Sequence, residues 1–80
     1  MKKLGTFHIS VDLIETDLET ARKVLTGTVV VHSEFRYIQG VIEYTAYHDA
    51  FDALKQGQIT PVYTWYVGEN GNVVWVKNEY

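Results

Sequence analysis

Apolar and polar residues alternate from Leu4 to Ile14, with Phe7, Ile9, Val11 and Leu13 on one face and Thr6, His8, Ser10 and Asp12 on the other. A period of two with one apolar face predicts a half-buried strand over this span. The pattern changes at Thr16-Asp17-Leu18-Glu19, which fits a capping box: the threonine hydroxyl and the glutamate each satisfy an otherwise unpaired amide. Leu18, Ala21, Val24 and Leu25 follow at helical spacing, and Gly27 stands where a left-handed C-terminal cap belongs. The helix is acidic at its start and carries Arg22 and Lys23 towards its end, as the helix dipole favours. So short a helix is marginal alone and must pack on a sheet.

Alternation returns over Thr28 to Ile38 and Val41 to His48, which predicts a hairpin turning at Gln39-Gly40. In that register Arg36 faces Glu43, Phe35 faces Tyr44 and Tyr37 faces Ile42. The inner face reads Val29, Val31, Ser33, Phe35, Tyr37, Ile42, Tyr44 and Ala46; the outer reads Val30, His32, Glu34, Arg36, Glu43, Thr45 and Tyr47. Asp49 to Gln56 reads either as one helical turn capped by Asp49 or as a loop pinned by Phe51.

Two further strands, Val62 to Val67 and Val73 to Lys77, flank Asn70-Gly71. Asn-Gly between apolar runs is the signal of a type I′ turn, which needs positive φ at both central residues. That turn pairs Tyr66 with Trp75 and Trp65 with Val76. One face then holds Tyr63, Trp65, Val67, Val74 and Val76, the other Val62, Thr64, Tyr66, Val73, Trp75 and Lys77. An indole lies on each face, whereas an antiparallel sheet in a small domain usually buries only one side. The predicted architecture is α+β: a mostly antiparallel five-stranded sheet with one short helix on one face, in the order strand, helix, strand, strand, short helix or loop, strand, strand.

Composition narrows the class. Eighty residues make one domain, 1–80, and a hydrophobic fraction of 46% supplies a core and argues against disorder. No cysteine is present, which excludes a disulfide framework and a thiolate zinc site. No apolar run approaches a membrane span and no signal-peptide pattern follows Met1-Lys2-Lys3, so a cytoplasmic location is expected. A net charge of −3 disfavours double-stranded nucleic acid.

Candidate chemistry is sparse. His8, His32 and His48, with Asp12 or Glu34, carry metal-ligand chemistry, but no two histidines share a short ligand spacing, so neither metal nor cofactor is expected. Ser10 and Ser33 lack a nucleophile elbow. The carboxylate pairs Asp49 with Asp52 and Asp12 with Glu15 read as caps and solvated ends, so no catalytic residue is assigned and an enzyme is not expected. The stronger constellation is aromatic. Tyr66, Trp75, Val73 and Lys77, with Tyr47 and Arg36, are expected to form a sheet face that binds a protein partner, a second copy included. On this reading Trp75→Ala weakens association and spares the fold. The alternative is a single-stranded nucleic-acid or nucleotide binder that stacks bases on the same rings.

The stretch Glu43-Tyr44-Thr45-Ala46-Tyr47-His48-Asp49-Ala50-Phe51-Asp52, followed by Gly57 and Pro61-Val62-Tyr63, resembles small proteins encoded by tailed bacteriophages, as does the opening strand with its Leu18-Glu19-Thr20-Ala21 helix. The resemblance covers about half the chain and transfers no site residues. It implies an accessory protein in the host cytoplasm that acts by binding, or inhibiting, a host or defence component.

Overall fold

A computed structural model of the chain describes residues 3–78. Seven elements follow one another: β1 (Leu4–Ser10), α1 (Val11–Thr16), α2 (Leu18–Leu25), β2 (Val29–Arg36), β3 (Val41–Tyr47), β4 (Tyr63–Val67) and β5 (Val73–Lys77). The α+β class and the five strands are as expected, but the strands divide into two antiparallel sheets, β1-β3-β2 and β4-β5. A single parallel bridge, Thr6 with Val62, joins them.

The alternation that predicts one strand to Ile14 is cut at Ser10. The Ser10 hydroxyl accepts from the Leu13 amide and starts α1. Leu13 and Ile14 then both reach the core, which adjacent strand positions cannot do and adjacent helix positions can. Asp17, not Thr16, caps α2: its carboxylate accepts from the Thr20 amide and hydroxyl at 3.2 and 2.7 Å. Those bonds hold Asp17 below the usual carboxylate range, the side-chain bond from Thr20 being the larger cause. Thr16 instead donates to the Asp12 carbonyl. Residues 49–56 are a loop pinned by buried Phe51, so the helical alternative is not realised.

The β2–β3 hairpin turns over four residues, 37–40, with Gly40 at φ 64° donating its amide to the Arg36 carbonyl. Phe35 therefore faces Ile42 and Arg36 faces Val41, two residues away from the expected register. A slip of two keeps every side chain on its face. Arg36 still reaches Glu43 diagonally, at 3.2 Å. An irregularity between Val30 and His32 changes the parity at the strand's start, so Val30 rather than Val29 lies opposite buried Ala46.

The C-terminal hairpin slips by one, which has the opposite consequence. Gly68 donates to the Asn72 carbonyl and Gly71 to that of Gly68, closing a three-residue loop. Gly71 has φ 82°, but Asn70 does not have positive φ, so the turn is not type I′. Trp65 now faces Trp75 and Tyr66 faces Val74. Both indoles share the face of buried Tyr63, and the expected division between faces is overturned.

The core is aromatic and lies over β1. Phe7 stacks on Tyr44 at 5.4 Å and meets the edge of Trp75 at 4.9 Å. Phe51 stacks on Tyr63 at 4.2 Å, and the Tyr63 hydroxyl accepts from the Asp52 amide. Gly5 lets this stack descend onto the strand, because a Cβ there would lie 2.7 Å from the Tyr63 ring. Ile9, Ala21, Val24 and Ala46 complete the buried set, while Leu18 at the start of α2 stays exposed.

Candidate binding surface

The two edges of the three-stranded sheet differ. Beside β1, the Thr6 amide donates to the Pro61 carbonyl at 2.9 Å, and the Trp65 indole donates to the His8 carbonyl at 2.8 Å. This edge is closed by the segment entering β4. The other edge is β2, the last strand in the order.

Alternation of the ladder fixes which β2 groups face outward. The His48 amide bonds the Lys3 carbonyl and the Val11 amide bonds the Gly40 carbonyl, both in the β1–β3 register. The even-numbered residues of β3 thus bond β1, and Val41, Glu43 and Thr45 bond β2. Their partners Arg36, Glu34 and His32 point their amides and carbonyls inward. Ser33 and Phe35 therefore present theirs outward, on an edge with no further strand among the described residues.

The start of this edge is apolar on both faces, with Val29 on the outer side and Val30 on the core side. Phe35 lies on the core side, opposite Ile42, yet is 55% exposed because the packed elements gather over β1. Val29 is 63% exposed and Val31 51%, and the adjoining turn projects Tyr37 and Ile38 at 85% and 94%. Phe35 and Tyr37 rings meet at 5.8 Å, so the tip is a joined aromatic surface. Val29, Val31, Phe35 and Tyr37, all expected on an inner face, are each more than half exposed.

The outer face carries the charge. Glu43 accepts from Arg36 and lies 3.1 Å from His8 Nε2; Glu34 lies 3.5 Å from Arg36 and 4.0 Å from His32. Hydrogen bonding from Arg36 is the largest cause that holds Glu43 below the usual carboxylate range; burial opposes it, and the Arg36 charge and the contact with His8 add to the lowering. Glu43 likewise raises Arg36, chiefly through the same hydrogen bond.

The six residues expected to form one binding face are dispersed. Tyr66 is exposed on the outer side of β4 with Val76 near it in the sheet, but Val73, Trp75 and Lys77 lie on the core side. Trp75 packs on Phe7 and Phe51, and Lys77 pairs with Asp52 at 3.1 Å. Arg36 and Tyr47 share the outer face of the larger sheet. Tyr66, Trp75 and Tyr47 therefore do not make a joint stacking platform. Sequence reasoning missed the β2 edge, although Val29-Val30-Val31, apolar at three successive positions, is the signal of a strand greasy on both faces.

Among the described residues, no cluster of three histidine, cysteine or acidic side chains is placed to hold a metal. A surface depression of about 420 Å³ lies between Trp75, His48, Lys23 and Asn72. His48 Nδ1 is engaged there by the Ala50 amide. No helix among the described residues is long and apolar enough to cross a membrane. No protein family, curated protein or solved structure was found to match the chain, and the likeness to phage proteins stands on its quoted residues alone.

Proposed function

We propose that this chain is a protein-binding module, not an enzyme, and that it docks a partner along the β2 edge. The supporting observation is an eight-residue terminal strand whose outward amides and carbonyls are flanked by exposed Val29, Val31 and Phe35. Such an edge is a template for strand addition: main-chain bonds supply affinity and alternate side chains supply selectivity. The joined Phe35–Tyr37 surface and Ile38 extend the contact beyond the backbone. The one carboxylate of the sheet with a shifted proton affinity, Glu43, is shifted downward, the reverse of what a general acid needs. A role as a phage accessory or inhibitory protein is compatible with this mode, but nothing in the edge specifies it.

Ser33→Pro isolates the edge, since it removes an outward amide and no bond of the β2–β3 ladder. Immobilised wild-type chain is expected to capture a protein from cell extract, and Ser33→Pro to weaken that capture by about tenfold, the worth of one hydrogen bond. Circular dichroism should be unchanged. Equal capture by both chains, or loss only on Tyr66→Ala, would move the interface off β2.

A further inference from the structure

We infer that the partner of the β2 edge is a second copy of this chain, paired antiparallel about a two-fold axis through Ser33. This rests on the reading of β2 as a docking edge and specifies its occupant.

Backbone parity and charge choose the register. In an antiparallel two-fold pair, outward-facing residues must oppose outward-facing residues, and Ser33 and Phe35 are of that kind. Three centres satisfy this along the strand's second half. Centring on Glu34 sets that carboxylate against itself, a like-charge cross-strand pair, and sets two donors, His32 and Arg36, against each other. Centring on Phe35 leaves only residues 34–36 of β2 within both strands, because the turn begins at 37. Centring on Ser33 keeps residues 30–36 within both strands.

That last register is also self-complementary. Each His32 lies opposite the second copy's Glu34, and each Phe35 comes beside the second copy's Val31, the residue at which β2 is irregular. Before Val31 the irregularity in β2 shifts the parity, so the regular pairing spans residues 32–34 of both copies and the valines at the strand's start pack at the rim. The two Ser33 residues exchange amide-to-carbonyl bonds on the axis. The imidazole–carboxylate contacts on the outer face recur symmetrically on both sides of the axis, as an isologous interface requires. The result is one continuous sheet, β1-β3-β2 from each copy, with the open edges consumed and the β1 edges already closed by Pro61 and Trp65.

The absence of cysteine from the chain gives a clean test. Light scattering should report twice the 9.2 kDa chain mass at high concentration, falling on dilution. Ser33→Cys, oxidised with oxidised glutathione, should form a disulfide-linked dimer about a hundredfold faster than Thr64→Cys, because pairing raises the effective thiol concentration. Glu34→Lys should weaken association, and Glu34→His combined with His32→Glu should restore it. A monomer at every concentration overturns the inference, as does a dimer in which the two cysteine variants cross-link equally. If the chain is monomeric but Ser33→Pro still abolishes capture of another protein, only the choice of occupant fails. If Ser33→Pro changes neither, the docking edge fails with it.

Discussion

Phe7→Ala is expected to lower the unfolding free energy by about 3–5 kcal/mol, the cost of removing a buried aromatic ring and leaving part of its space empty. Phe7 is fully buried and touches Tyr44, Phe51 and Trp75, rings supplied by β3, the long loop and β5. Its removal therefore unties both sheets at once. A domain of 80 residues has roughly 4–12 kcal/mol of stability in total, so the variant loses a large share of it. Chemical denaturation followed by tryptophan fluorescence reads this directly, since Trp75 lies against the deleted ring. A loss below about 1 kcal/mol would mean that the aromatic cluster is not the centre of the fold.

Trp75→Ala is expected to act on stability, not on association, which reverses the expectation from sequence. The indole packs against Phe7 at 4.9 Å and Phe51 at 5.0 Å while keeping part of its surface in solvent. Its truncation should cost about 3 kcal/mol, the lower end for a large aromatic, because it is only partly enclosed. Tyr66→Ala, on the opposite face and 52% exposed, should cost under about 1 kcal/mol. Thermal melts of the two variants give the contrast. Equal melting temperatures would place Trp75 outside the core and return the C-terminal hairpin to consideration as a binding face.

The difference between these two residues comes from a single residue of register. Asn70-Gly71 marked the hairpin correctly, but the same dipeptide also ends a three-residue loop in which glycine alone takes positive φ. Nothing local in the sequence separates the two turns, and a slip of one exchanges the faces of β5. The β2–β3 hairpin slipped by two, so the faces of residues 32–36 and the Arg36–Glu43 pair survived the wrong turn length, while the irregularity before His32 exchanged Val29 and Val30. Helix α2 was legible because its periodicity and Gly27 agreed, although its cap is Asp17 and not Thr16; α1 was not, because Val11 and Leu13 continue a strand period while Leu13 and Ile14 pack as helix neighbours. The open β2 edge was hidden for a different reason. Alternation predicts which side of a strand faces the sheet's core side, but only tertiary placement says whether anything covers it. Here the packed elements stop short of Phe35.

Amide hydrogen exchange at Ser33 and Phe35, followed by NMR over a range of protein concentrations, tests the edge most directly. The account predicts that both exchange rapidly in dilute solution, while Glu34 between them is protected by the ladder to β3, and that Ser33 and Phe35 gain protection as concentration rises. Rates at those two residues that are slow at every dilution, or that never respond to concentration, would contradict it.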